Sequence, residues 1–389
     1  MVWRPRQGGR TGHAYNEQMV MFVTCLLALL ASLVVTTWVV RIGSNEPGRM
    51  ADTDFSGPQK FHERPVPRIG GLGIAAGLWL AAGWLWLQNP KDLGTPALLL
   101  LACGLPAFLA GLAEDVTKQV SPAQRLFCTA FSAGLAIIVL DNAITRTDLP
   151  GLDLLVVYTP FAAVLTVVAV AGVANSINLI DGFNGLASTC VAIMLAGLAF
   201  VAWRVGDTLV LSLALAGVGA VLGFLVWNFP RGLVFLGDGG AYFLGFYLAQ
   251  LALLLLARNP AVSPLFPLLL VIYPIFETVF SMYRRKVLKG RPVGQPDGAH
   301  LHSLIFRRFL RSDFANLDVE ERTRRNSMTS PYLWLLSLLS VLPAVVFWDS
   351  SGWLLAGVVL FGFSYLALYW RIVRFRGPRW LAAARSASR

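Results

Sequence analysis

Eleven long runs of almost uncharged, apolar residues dictate what solvent this chain can fold in. They lie at 19–40, 69–87, 97–113, 126–140, 154–172, 185–203, 208–227, 241–257, 262–282, 331–348 and 353–370. About 20 apolar residues in a helix cross the hydrocarbon core of a bilayer. The expectation is therefore an all-α, polytopic integral membrane protein with about eleven transmembrane helices. Composition agrees, with 14% charged residues against roughly 25% in an ordinary globular chain. A disordered, collagen-like or disulfide-scaffold chain is excluded on the same ground. The first run is too long for a signal-peptide core and no small-residue cleavage site follows it, so it is expected to remain as an anchor. Cys25, Cys103, Cys128 and Cys190 all fall inside apolar runs with no C-x-x-C spacing. They read as small hydrophobes, neither a disulfide framework nor a zinc site.

The 32 basic and 21 acidic residues give a formal net charge of +11. In so apolar a chain this points to cytoplasmic loops and anionic lipid headgroups. Nucleic-acid binding would need a basic domain with a recognisable fold, and none is present. Counting Lys and Arg in alternate loops places 25 of the 32 on one side, which predicts an N-terminus outside and a C-terminus in the cytoplasm. Arg4, Arg6 and Arg10 pull weakly the other way. The chain divides into a short tail (1–18), one polytopic domain (19–372) and a basic cytoplasmic tail (373–389). The inner connection at 283–330 is too long for a plain connector, and a short surface helix is expected at 319–326.

The unusual residues collect on the predicted inner side. Glu114-Asp115 closes the third run and precedes Lys118 and Ser121-Pro122, a helix-start signal. Adjacent carboxylates repel unless a cation or donors sit nearby, so the pair reads as part of a metal site or as a solvated loop of mixed charge. Asn175, Asn178, Asp181 and Asn184 recur every third residue. On a helix that spacing lines one slanted ridge, and four such polar groups at the mouth of an apolar span are costly unless they bind something. An Asn/Gly-rich turn explains Gly182 and Gly185 but not the period. Gly237-Asp238-Gly239-Gly240 opens the eighth run. It is an ordinary turn, or a set of N–H groups facing a phosphate at a helix N-terminus with Asp238 holding a metal.

His300-Leu301-His302, near Arg307-Arg308, places two imidazoles on one side if extended. Further zinc ligands at suitable spacing are not apparent, which leaves phosphate binding or an inert basic loop. Lys60, His62, Glu63, Arg64 and Arg68, interleaved with prolines, form a stiff basic strip that reads equally as phosphate recognition or a stop-transfer cluster. Glu277 lies inside the ninth run and needs a partner or water there. It lies a few residues before the Arg284-Arg285 pair, and a structural salt bridge is expected ahead of a catalytic role.

In order along 60–306, these segments resemble the polyprenyl-phosphate N-acetylhexosamine-1-phosphate transferases, glycosyltransferase family 4. The signatures are 62–71 (HERPVPRIGG), Glu114-Asp115, 178–186 (NLIDGFNGL), 236–240 (LGDGG) and His300-Leu301-His302. The family includes enzymes that start O-antigen and enterobacterial common antigen assembly, and the peptidoglycan phospho-N-acetylmuramoyl-pentapeptide transferase. The resemblance implies transfer of a sugar 1-phosphate from a UDP-sugar to polyprenyl phosphate, with release of UMP. It implies Mg²⁺, with Mn²⁺ as substitute, in a bacterial inner membrane with the active site facing the cytoplasm. Glu114, Asp115 and Asp181 take the catalytic positions, and Asp115, Asp181 and Asp238 the metal positions. Lys60, His62, Arg68, Asn175, Asn178, Asn184, His300 and His302 are the expected substrate contacts.

The departures are specific. The acidic pair is usually Asp-Asp, Asn184 stands where several members have Asp, Ser303 replaces the last residue of His-x-His-His, and Gly298 lies where a relative has Arg. They argue against the peptidoglycan enzyme. The donor sugar, polyprenol length and oligomeric state stay open, a homodimer being one option. A transporter or flippase is the alternative from another class, but it would place polar groups near the bilayer midplane. Here they collect at span ends.

Overall fold

The structure is a computed structural model that describes residues 8–45, 51–52, 66–288, 290, 299–310 and 319–374. The helices are α1 (Gly8–Asn45), α2 (Gly71–Gln88), α3 (Thr95–Thr117), α4 (Pro122–Leu140), α5 (Leu152–Val156), α6 (Thr159–Ile180), α7 (Leu186–Val205) and α8 (Thr208–Asn228). They continue with α9 (Gly237–Arg258), α10 (Leu265–Leu270), α11 (Ile272–Tyr283), α12 (Leu301–Ile305), α13 (Val319–Ser327), α14 (Ser330–Val346) and α15 (Ser351–Val373). Among the described residues the only strand pairing is a two-residue antiparallel ladder between β1 (Ala51–Asp52) and β2 (Val66–Pro67). The start of α4 follows from its sequence. Ser121 accepts from the Gln124 N–H, the Gln124 side chain accepts from the Ser121 N–H, and Pro122 fills the first helical position. The surface helix expected at 319–326 is α13.

Ten helical segments among the described residues are long and apolar enough to cross a membrane, against eleven expected. The difference is the run at 262–282, which is broken. Val271 leaves helical geometry (φ −101°, ψ 14°) between α10 and α11. Pro274 gives the reason: it has no N–H for the Leu270 carbonyl, and its ring crowds that turn. The broken pair still traverses the bundle. Ser263, ahead of α10, donates its N–H to Trp348 beyond α14, whereas Glu277 in α11 meets His300.

Two ends can be told apart by their contacts. One gathers the last turns of α3 and α6 with the first turns of α4 and α9, through residues described below. The other is closed by Asp207, which accepts from Arg258 Nε at 2.8 Å and Asn259 Nδ2 at 2.9 Å. At the centre runs α9, whose residues from Gly237 to Leu255 are all buried. The outward faces of α1, α4 and α15 carry exposed Phe22, Trp38, Phe127, Ile138, Leu360 and Phe363. A belt of this kind is untenable in water and is what a lipid-facing surface requires. The protein is an integral, multi-pass membrane protein.

Candidate active site at one end of the bundle

Backbone pairing assembles the site before any side chain acts. The Phe235 N–H donates to Pro67 O at 2.8 Å, the Gly70 N–H to Phe235 O at 3.0 Å and the Gly71 N–H to Leu236 O at 3.0 Å. This zipper carries Arg68 to the start of α9. There the Asp238 and Gly239 N–H groups each donate at 2.9 Å to the two carboxylate oxygens of Asp115, from the last turn of α3. An anion at a helix N-terminus is stabilised by the unpaired N–H groups and the helix dipole. The sequence reading offered these N–H groups to a substrate phosphate. The structure corrects it: the anion that takes them is the protein's own Asp115.

Asp238 points away from this junction into a close ion pair with Arg125, in the first turns of α4. Arg68 stands 4.0 Å from both Asp115 Oδ1 and Asp238 Oδ1. Arg125 also lies over the Tyr242 ring, 5.8 Å from its centroid, and the Tyr242 hydroxyl donates to Asn175 Oδ1 at 3.3 Å. Two guanidinium groups therefore offset two carboxylates, and the cluster ties α3, α4, α6 and α9 together. Asp181 follows the last residue of α6. Burial pushes its carboxyl up to about 7, with Arg68 opposing the rise and the Asp115 charge adding to it. No hydrogen bond reaches that carboxylate from the described residues.

The histidine segment docks on the Asp181-Gly182 turn. His302 Nε2 lies 3.2 Å from where a Cβ on Gly182 would stand. The His302 ring packs edge-on against Phe183 at 5.5 Å and parallel to His300 at 5.2 Å. Burial pushes His302 down to about 3, His300 adding to the shift and Glu277 opposing it, so the ring is neutral near pH 7. Its Nδ1 is buried with no hydrogen-bond partner among the described residues.

The expected three-residue ridge holds only in part. Asn175 and Asn178 lie one turn apart on α6 and Asp181 directly follows its last residue, but α6 stops before Asn184. Asn184 turns inward instead. Its N–H donates to Asn326 Oδ1 at 3.1 Å, its Nδ2 to Ser327 Oγ at 3.1 Å, and its carbonyl accepts from Ser330 Oγ at 2.6 Å. These bonds commit it to joining α13 and α14 to the turn. Glu114 likewise serves its own loop, accepting from the Val120 N–H at 2.8 Å. Lys60 and His62, with Glu63 and Arg64, lie outside the described residues. Among the described residues no three His, Cys, Asp or Glu side chains converge closely enough to form a preformed metal cage.

Residues 97–256 match the model described as glycosyl transferase family 4, a stretch that contains Asp115, Arg125, Asp181 and Asp238. The chain is 31% identical over 295 residues to a probable undecaprenyl-phosphate N-acetylglucosaminyl 1-phosphate transferase of Bacillus subtilis (strain 168), covering 74% of this chain and 78% of the relative. The chain belongs to glycosyl transferase family 4. An undecaprenyl-phosphate alpha-N-acetylglucosaminyl 1-phosphate transferase of Escherichia coli (strain K12) is 25% identical over 292 residues, covering 72% of this chain and 76% of its own. A decaprenyl-phosphate N-acetylglucosaminephosphotransferase of Mycobacterium leprae (strain TN) is 27% identical over 310 residues, covering 70% and 74%.

In this family 4 member three partners escaped the sequence reading. Arg125 lies four residues after the helix-start Ser121, where a basic residue looks like an ordinary flank. Tyr242 is hidden inside an apolar run. Asn228, which accepts from the Gly185 N–H at 2.6 Å and donates to Val234 O at 2.7 Å, locks the Gly-rich turns together. Only the Trp-Asn-Phe-Pro break at the end of the seventh run hinted at it.

Proposed function

We propose that the chain transfers an N-acetylhexosamine 1-phosphate from a UDP-sugar to polyprenyl phosphate, releasing UMP. The reaction takes place at the cytoplasmic face of a bacterial inner membrane, as the first membrane step of a surface glycan. The observation that carries this reading is the Arg68–Asp115–Asp238–Arg125 cluster at one end of an apolar bundle, in a chain whose relatives are named as polyprenyl-phosphate N-acetylglucosaminyl 1-phosphate transferases. The excess of basic residues on the same side of the sequence supports the cytoplasmic assignment.

The chemistry needs an oxygen of the lipid phosphate to attack the sugar-bearing phosphorus of the donor. The bond from that phosphorus to the oxygen bridging to UMP then breaks, and UMP leaves with the electron pair. A lipid phosphate is already mostly ionised at neutral pH, so no strong base is required. The obstacle is electrostatic, because both substrates are anionic. Arg68 and Arg125 neutralise charge at the start of α9, and Asn175 and Asn178 offer amide groups on the facing helix end. The polyprenyl tail stays in lipid while its headgroup reaches the bundle end.

The donor set fits Mg²⁺, with Mn²⁺ as substitute. Mg²⁺ takes hard oxygen ligands, commonly one or two carboxylates completed by phosphate oxygens and waters, so a full protein cage is not needed. Asp181, with a half-buried carboxyl that accepts no bond from the described residues, and Asp238 would hold it, with Asp115 fixing the helix that carries Asp238. When bound, the ion would supply charge stabilisation for the phosphoryl group in transit. His302, neutral and set against Gly182, would orient the donor diphosphate as a hydrogen-bonding group.

The direct test is UMP release from purified protein given a panel of UDP-sugars and polyprenyl phosphate, with and without Mg²⁺. Release is expected only when both substrates and the divalent cation are present. Silence with every donor would remove the transferase reading, and full activity in chelator would remove the metal. His302→Ala is expected to raise the donor KM about tenfold, the scale of one lost hydrogen bond to a charged group. The acceptor KM should hold. An unchanged donor KM would take His302 out of the donor site.

A further inference from the structure

We propose that Glu277, with Tyr365 of the last span, is a positioning residue that sets the orientation of His300 for the sugar-nucleotide diphosphate. This role rests on the transferase reading above. The sequence suggested a structural salt bridge for Glu277, a few residues before the Arg284-Arg285 pair. The structure gives it other partners. Glu277 is 1% exposed. Its Oε1 faces His300 Nδ1 at 3.1 Å and accepts from the Leu301 N–H at 3.1 Å, while its Oε2 accepts from the Tyr365 hydroxyl at 2.5 Å. Arg284 serves the adjacent carbonyl, donating to Ala299 O at 2.5 Å and to the Tyr369 hydroxyl at 2.5 Å. Tyr369 also donates to Ala299 O, at 3.2 Å.

Residues 299–301 are thus held by Glu277 of α11 and Arg284 just after it on one side and by Tyr369 of α15 on the other, while Tyr365, one turn earlier on α15, holds Glu277. Arg284 and Tyr369 by themselves tether the backbone at Ala299. A buried acid is a costly way to add a second tether, since a carboxylate in an apolar span must be fully partnered. What a carboxylate does that an apolar side chain cannot is dictate the state of an imidazole. With Oε1 as acceptor, Nδ1 of His300 must carry a hydrogen, and Nε2 is the nitrogen left for the diphosphate, to whose oxygens it donates when the ring also carries its second hydrogen, in a ring plane set by the bond. The parallel stack then carries that orientation to His302, 5.2 Å away between ring centroids, and so to the Asp181-Gly182 turn. Tyr365 holds the carboxylate from behind. The last span, which carries none of the sequence signatures, is in this way joined to the reaction through two hydroxyl groups.

The test uses the full chain in detergent or nanodiscs and measures donor KM, acceptor KM, kcat and thermal unfolding for Glu277→Gln, Glu277→Asp and Tyr365→Phe. Loss of an orienting partner typically costs about 10- to 100-fold. Glu277→Gln is accordingly expected to raise the donor KM at least about tenfold, with the acceptor KM unchanged. Glu277→Asp should recover part of the loss, and Tyr365→Phe should raise the donor KM less than Glu277→Gln does. A donor KM equal to wild type in folded Glu277→Gln overturns the role, as does an equal rise in both KM values. Should Glu277→Gln fail to fold, Tyr365→Phe decides: a donor KM equal to wild type overturns the role there too. If the wild-type chain itself releases no UMP, the transferase reading is what has failed, a result distinct from an active wild type with an indifferent Glu277→Gln.

Discussion

Asp238→Asn is expected to abolish measurable transfer, a loss of at least about 10³-fold, while leaving the bundle folded. Removing one preorganised charge from a phosphoryl-transfer site costs on the order of 10² to 10³ in rate, and Asp238 is asked for more than one contribution. It pairs with Arg125, faces Arg68 and is a proposed metal ligand. Asn has the same shape and keeps the backbone N–H that Asp115 accepts, so the start of α9 survives. Asp115→Asn should also abolish transfer, but with a second signature. Asp115 uses both oxygens on the Asp238 and Gly239 N–H groups. An amide offers one oxygen and presents an NH₂ group to the second donor, leaving buried donors opposed. Its unfolding temperature should therefore fall while that of Asp238→Asn moves less. Titration of both variants with Mn²⁺, followed by electron paramagnetic resonance, separates the roles further: Asp238→Asn should lose ion binding. Near-normal UMP release would remove the charge-and-metal role proposed for Asp238, or the junction role proposed for Asp115.

The difference between the two aspartates marks where sequence reasoning stops. That both acids are anomalous was legible, because an acid at the end of an apolar run is expensive in a membrane and stands out against its surroundings. The crossings and their basic loops were legible for the same reason, and Ser121-Pro122 announced α4 through local hydrogen bonding alone. What each acid touches was not legible. The Asp115–Asp238 junction joins residues 123 positions apart, and no periodicity encodes a contact at that separation. Asn184 shows the converse error. Its three-residue spacing fits the ridge, but the helix ends at Ile180, and the residue is tied to α13 through its side chain and backbone N–H and to α14 through its carbonyl. Glu277 was visible as an anomaly, yet the nearest arginines in sequence were not its partners, because His300 and Tyr365 arrive from outside the run.

Gly237→Ala is expected to inactivate the protein without altering a single charge, which makes it the sharpest check that assembly of the site, and not only its composition, matters. Gly237 has φ +75°, a left-handed conformation that costs an L-residue about 1–2 kcal/mol. Strain alone is survivable. Space is not: a Cβ there would stand 1.8 Å from Arg68 O and 2.6 Å from Asp115 Oδ2. The first is backbone adjoining the zipper that carries Arg68, and the second is the carboxylate that holds the start of α9, so relief must displace one or both. A displacement of about 1 Å at a reacting centre costs on the order of 10²-fold, and UMP release per folded molecule should fall at least that far. Gly134→Ala in α4 is the matched control, because a Cβ there meets nothing within 4 Å. It should leave activity intact and stabilise the helix slightly, as Ala generally does in place of an unconstrained helical Gly. Wild-type turnover in Gly237→Ala would mean that Arg68, Asp115 and the start of α9 tolerate being pushed apart, and the close junction of these three segments would no longer explain catalysis.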